Sequence, residues 1–356
     1  MPVSPSYSAV FGVNLLAWIL LCSYSMIFQR IVRCIGRNGE NYLARTRRDY
    51  FRTLKAGSGA GLITAATVVF KLVVALLSLS LATEAVFCGL NYAVSFLLMQ
   101  ALGFRLATKQ PSLLAATLIR RWKSRPTHLQ IKAVMRSQFA ATVGNFTFVV
   151  LAMIGFYFIG SARPGSSFMS QEAAIKTVAS LDPFSSGTVF YGTITGIVLW
   201  LSSLIAGWTG HLTRKIGFMR RIAGITFNLS LAFFLSVIPF LGKTFELPLD
   251  VRHFTLSSGA LALSVCTLGF SNAFKAGLLN ASIGIVLIGG LNFFVSFLLS
   301  FVTSLFAHGL SWKRVAPGLR SALTSFGKTP LEFFIPVRPS LTSIMPATGR
   351  SAALQS

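Results

Sequence analysis

Five residues stand where their type and surroundings could do chemistry: Lys71, Glu84, Asp250, Arg252 and His253. Lys71 interrupts the apolar run Gly57–Leu81. An ammonium in hydrocarbon costs roughly 2.5–3.5 kcal/mol on insertion scales, so it must pair or face an aqueous cavity. That leaves a substrate or ion contact, or a structural lysine bonded to a neighbouring helix. Glu84 lies roughly 20 Å further along a continuous helix axis. A direct pair between the two therefore needs the chain to turn back. Asp250, Arg252 and His253 sit in Leu247–His253, the densest polar cluster outside the basic segments. They could hold a small polar ligand or simply close a loop. Asn14, Asn91, Asn145, Asn228, Asn280 and Asn292 recur inside apolar runs, where helix-to-helix hydrogen bonding and a transport pathway are the two available roles. The four cysteines are far apart and form no CxxC pair, which supports neither a zinc site nor a redox couple.

The elements that must carry these residues follow from composition. Hydrophobic residues make up 53% of the chain and charged residues 11%, whereas a soluble domain needs about 25% charged residues to cover its surface. A spanning helix needs about 20 apolar residues. Such runs occur at Tyr7–Phe28, Gly57–Leu81, Glu84–Phe104, Gln138–Gly160, Ser186–Gly210, Ala223–Gly242, Phe254–Phe274 and Ala276–Leu310. The expectation is an all-α polytopic transmembrane bundle of seven or eight spans. Residues 1–28 form a signal anchor or first span and 29–56 a basic segment. Residues 57–310 form the multi-span domain, and 311–356 a basic tail, disordered at its end. Phe254–Phe274 is rich in Ser and Thr and is expected to insert only partly. Ala276–Leu310 is long for one span, so part of it should tilt or re-enter. Pro111–Arg125 is expected as a helix lying on the membrane surface.

Of 32 Lys and Arg residues, 26 fall in segments 29–56, 105–136, 211–221 and 311–356. Cationic loops stay cytoplasmic, so these segments are expected on the cytoplasmic side of a bacterial inner membrane. Seven full spans would also place the tail there. The expected partners are anionic lipids, at about 1 kcal/mol per cation near the surface, and proteins met through the basic loops. No nucleic-acid-binding module accompanies the charge. Two readings of the whole follow: a non-enzymatic membrane protein acting as a scaffold or membrane anchor for partners, and a transporter using Lys71 and the in-span polar residues.

Several strings resemble a bacterial family of transmembrane site-specific recombinases. They are Gly39–Tyr42 followed by Arg45–Tyr50, Gly89–Ala93 with Ala107–Pro111, Asp182–Phe184, Leu199–Trp208, and Leu247–Ala260. The resemblance covers roughly residues 37–340 and implies a helical membrane fold. Family members carry a long polar N-terminal half, and this sequence opens instead on an apolar run. The family name implies DNA strand exchange, which the residues here do not supply. A tyrosine recombinase needs a nucleophilic tyrosine downstream of its Arg/His cluster. His211–Arg214 reads HxxR, but the last tyrosine, Tyr191, precedes it. No soluble serine-recombinase domain fits between the spans. Metal-dependent transfer needs an acidic triad, and Asp49, Asp182 and Asp250 are expected on opposite sides of the membrane. No catalytic constellation and no cofactor site emerge.

Overall fold

A computed structural model describes residues 26–122, 126–162, 168–213 and 219–336. The expected span at Tyr7–Phe28 lies almost wholly outside these residues. Helix α1 (residues 26–39) precedes α2 (Arg47–Leu76), α3 (Leu81–Ala101), α4 (Gln110–Arg120) and α5 (Thr127–Ser161). After a short α6 (Gln171–Ser180) come α7 (Thr188–Leu212), α8 (Met219–Thr244), α9 (Phe254–Leu268), α10 (Phe270–Lys275) and α11 (Leu278–Ala307). The chain then forms α12 (Trp312–Lys328) and α13 (Leu331–Phe334). All the regular structure among the described residues is helical. Six of these helices, α2, α3, α5, α7, α8 and α11, are long and apolar enough to cross a membrane.

Local chemistry explains where the boundaries fall. The Thr46 hydroxyl accepts from the Asp49 amide while the Asp49 carboxylate accepts from the Thr46 amide, a reciprocal cap that starts α2 ten residues before the apolar run. Segment 29–56 is therefore largely helical rather than an open basic stretch. Lys71 falls five residues from the end of α2 instead of mid-span. Helix α3 ends in a Schellman motif: Phe104 N–H bonds Met99 O and Gly103 N–H bonds Gln100 O, with Gly103 at φ +72°. Helix α8 ends the same way through Leu247 N–H on Gly242 O, with Glu246 in the left-handed region at φ +53°.

Two other expectations change. The segment expected to lie on the membrane surface is α4, and every residue from Gln110 to Ile119 is buried. Two of its polar groups find partners inside: the Thr117 hydroxyl donates to Gly36 O at 2.9 Å, and Ser300 Oγ on α11 donates to Ser112 O at 2.6 Å. Ala276–Leu310 contains one unbroken helix, α11, with no re-entrant part. The tail begins with an ordered amphipathic helix, α12, followed by α13; residues 337–356 lie outside the described ones. Phe254–Phe274, expected as a single apolar segment, splits into α9, of 15 residues, and α10.

The packing repeats itself. Helices α2 and α5 run parallel and interlock through Gly57, Gly61 and Gly144. Helices α7 and α11 run parallel and interlock through Gly192 and Gly196. The short α4 lies against α11, and the short α9 against α5. Helices α3 and α8 pack on each other in antiparallel sense. The order long, long, short, long thus occurs twice, as α2–α5 and as α7, α8, α9 and α11. Each set has three long helices, so the second set starts at the opposite end of the bundle and is inverted. One end, called the basic end here, carries Arg47, Arg48, Arg52, Arg120 and Arg121. The far end carries the α2–α3 turn, Glu84, α6 and Lys243.

Salt bridges tie the periphery. Glu40, in the 3-10 turn Glu40–Tyr42, pairs with both Arg120 and Arg121 at the end of α4. The hydrogen bond from Arg121 and the charge of Arg120 hold its carboxyl below the ordinary value of 4.5. A depressed carboxylate contributes stability above its unfolded pKa and loses it as pH falls through the folded one. Detergent-solubilised protein should therefore show a falling unfolding temperature below about pH 4.5. In Glu40→Gln that fall should be shallower, with a lower plateau at neutral pH. Superimposable curves would remove this role.

Candidate functional site

The site forms where α3 and α8 each stop and the chain turns into a short buried helix. In the first break Asn145, fully buried on α5, donates to Gly57 O at 2.8 Å and Arg105 O at 3.0 Å, and accepts from Ala107 N–H at 3.3 Å. In the second, Asn292, fully buried on α11, donates to Gly192 O and Arg252 O and accepts from Phe254 N–H, each at 3.1 Å. Each asparagine lies 40 residues beyond the arginine whose carbonyl it holds. The arginines match as well. Arg105 lies over the Tyr42 ring at 5.3 Å and donates to Thr53 Oγ1. Arg252 lies over the Tyr191 ring at 5.8 Å and donates to Ser180 Oγ. One amide from a neighbouring long helix thus satisfies the backbone groups freed by each break.

The two breaks touch. Thr108, in the 3-10 turn before α4, shares a 2.7 Å hydrogen bond with His253 Nε2, the residue before α9. His253 is 2% exposed and Thr108 5%, and the Phe96 ring of α3 packs on the imidazole. The starts of α4 and α9 therefore converge inside the bundle, each directing orphan N–H groups and a positive dipole end at the same region. Side-chain atoms without a protein partner collect on these starts: both amide atoms of Gln110, the Thr255 hydroxyl and His253 Nδ1.

One face of α3 runs past this junction. Glu84, Cys88, Tyr92, Phe96 and Gln100 recur every four residues, so they lie on one side of the helix. Towards the far end this face meets four of the five residues singled out from sequence. Glu84 pairs with Lys243 at 3.3 Å, not with Lys71. Asp250 pairs with Arg252 at 3.3 Å. Lys71 is exposed, and Tyr92, Asp250, Cys88 and Arg252 are among the groups whose charges act on its ammonium. His253 lies deeper, at the junction itself. Towards the basic end the same face reaches Gln100, Asn228 and Lys109. Asn228 donates to Phe96 O at 3.1 Å and Gln100 Oε1 at 2.6 Å, and accepts from the Lys109 ammonium at 3.1 Å. Between the two ends, Phe96, Thr108 and His253 close the seam.

Lys109, Gln100 and the pairing of the two asparagines were not distinguished from sequence. The signal was present: Arg105–Thr108 and Arg252–Thr255 both read R-x-x-T, and each has an Asn-Phe pair 40 residues after its arginine. The remaining in-span asparagines also bond other segments. Asn91 donates to Thr67 O at 2.9 Å and Asn280 to Asp182 Oδ2 at 3.1 Å; Asn14 lies outside the described residues.

The strand-exchange chemistry fares differently. His211 ends α7, and Arg214 of the HxxR string lies outside the described residues. Tyr191 lies near the opposite end of that same helix, roughly 30 Å away. Asp49 sits in the first turn of α2 at the basic end, whereas Asp182 caps the turn after α6 at the far end. Among the described residues no three His, Cys, Asp or Glu side chains gather as a metal site.

No curated protein matches the chain. The sequence does match the family described as site-specific recombinase, over residues 19–214 and 212–336. With six apolar helices of spanning length and this match along nearly its whole length, the chain is a helical membrane protein that belongs to the site-specific recombinase family.

Proposed function

We propose that this protein is a multi-pass transporter of the bacterial inner membrane that carries a small polar solute along the seam between α3 and α8. The inverted repeat carries this reading. Two broken segments, each pinned by a buried asparagine, meet where the halves join. Membrane transport proteins place substrate sites at such junctions because unwound backbone and helix ends supply polar groups inside the bilayer. The conformation here is closed at Phe96, Thr108 and His253, with Lys71, Tyr92, Asp250 and Arg252 on the far side and Lys109 on the other. The basic end faces the cytoplasm by the sorting of cations. Helix α12 lies along anionic lipid there: it presents Lys313, Arg314, Arg320 and Lys328 on a strongly amphipathic helix that also exposes Trp312 and Leu323. A cytoplasmic reporter fused after Arg320 should be active and one fused after Ser80 silent.

The functional test is flux into proteoliposomes of radiolabelled glycerol, urea, succinate and phosphate. At least one should enter faster than into protein-free vesicles. Lys71→Ala should lower that flux about tenfold, the worth of one charged contact, while remaining monodisperse in detergent. Flux equal to empty vesicles for all four solutes would remove the transport reading. Normal flux in Lys71→Ala would take Lys71 out of the pathway.

A further inference from the structure

We infer that the basic-end mouth of the seam is a binding site for a small anion, a carboxylate- or phosphate-bearing solute seated on Lys109. The inference deepens the transport reading and rests on it for the word solute, but the site itself is argued from its own groups.

A cavity of about 290 Å³ opens between the end of α3, the first break and the start of α8. Three cations line it, Arg105, Lys109 and Arg221, together with the amides of Asn41, Gln100 and Asn228. No aspartate or glutamate is among its lining residues, nor among those of the smaller cavity beside it that shares Lys109 and Asn41. The Lys109 ammonium makes one hydrogen bond, to the neutral Asn228 Oδ1 at 3.1 Å, and lies 4.6 Å over the Phe227 ring. A cation inside the bundle pairs or faces an aqueous cavity. Lys109 lines this cavity, and among the described residues no carboxylate forms a salt bridge with it, which leaves its charge for an anion that enters from outside the chain.

The surroundings of Lys109 favour the same sign. It is the residue immediately before α4, at the positive end of an 11-residue helix. Asn228 is itself fixed by two bonds from α3, and Gln100 Nε2 donates to Arg221 O at 3.3 Å. The ammonium is thus held by a rigid amide chain while two of its three donors remain for a ligand. An anion there would have the charges of Arg105, Lys109 and Arg221 around it. A cation or a neutral solute would gain nothing from them.

Full-length protein in detergent, at constant ionic strength, is titrated separately with succinate, inorganic phosphate, glycerol and guanidinium, with unfolding temperature and calorimetric heat as readouts. Succinate or phosphate should raise the unfolding temperature saturably, while glycerol and guanidinium should not. Lys109→Gln should weaken that response about 10- to 100-fold, the loss of one charge-assisted contact, and Lys109→Arg should keep most of it. Asn228→Asp provides the decisive variant. It is isosteric, leaves Lys109 in place and supplies an internal counter-charge, so it should abolish anion binding; because it gives up the bonds donated to Phe96 O and Gln100 Oε1, its fold is checked by monodispersity and unfolding temperature. Anion binding that is unchanged in Asn228→Asp and Lys109→Gln would overturn the site, as would saturable binding of guanidinium in its place. Failure of the two readings separates cleanly. Glycerol or urea flux without anion binding would remove the anion site and leave transport. Anion binding abolished by Asn228→Asp, in vesicles that pass none of the four solutes, would keep the site and remove transport.

Discussion

Asn145→Leu and Asn292→Leu are each expected to lower stability by roughly 2–4 kcal/mol, among the largest costs of any single polar change in the chain. Each asparagine satisfies three backbone groups inside the bundle. Leucine is close in volume but returns no hydrogen bond, so two carbonyls and one amide are left unpaired in a medium that cannot hydrate them. Single side-chain bonds in membrane proteins average about 0.6 kcal/mol because the unfolded chain finds other partners. Here three groups lose their partner together, and all belong to backbone that has left the helical ladder. Asn280→Leu is the control: it loses one bond to a carboxylate at the protein surface, and should cost under about 1 kcal/mol. The measurement is the unfolding midpoint in mixed micelles. Equal and small effects for all three would mean that the breaks are held by something other than these amides.

Gly144→Val should be more severe still, leaving little monodisperse protein. A Cβ at Gly144 would lie 2.5 Å from Leu54 O and 2.8 Å from Ser58 N. Both are backbone atoms of α2 and cannot rotate away. Gly61 mirrors it across the contact, its Cβ position 2.5 Å from Asn145 O. Helices in lipid gain their association from close backbone approach rather than from the hydrophobic effect, so pushing α2 and α5 apart removes the contact that also carries Asn145. The expected cost exceeds about 3 kcal/mol. Gly155 is on the same helix, and nothing lies within 4 Å of its Cβ position. Gly155→Ala should therefore be neutral or stabilising by up to about 1 kcal/mol. If the two variants expressed and unfolded alike, the interlock would not be limiting. In the second half, Gly196→Val should behave like Gly144→Val, since its Cβ would sit 2.6 Å from Val295 Cβ and 3.0 Å from Leu291 O.

The apolar helices were legible because the bilayer imposes a length that a sequence must display. Their ends were less so. The Thr46–Asp49 cap extends α2 into residues that charge alone assigns to a loop, and this displaced Lys71 from the centre of its helix to near its end. Helix α4 was misplaced for a related reason. Gln110, Ser112 and Thr117 look like the wet face of a surface helix, and only a tertiary partner reveals whether such groups are inside. Lys109 was hidden by counting. As one of eight cations in 105–136 it merges with the topology signal, and net charge carries no depth. The site residues taken from sequence were the conspicuous ones, Lys71, Glu84, Asp250, Arg252 and His253. The structure gathers four of them at the far end of one seam and puts His253 at its middle. Their chemical partners, Tyr92, Lys243 and Thr108, come from other elements, and no local pattern announces them.

The meeting of Thr108 with His253 has an electrostatic consequence. Each helix start carries the equivalent of roughly half a positive charge, and here two of them face one another across a single hydrogen bond. Hydronium and sodium ions moving along this line would climb an electrostatic hill at its narrowest point. On the transport reading proposed above, such a hill would hold cations back from the path that cargo takes.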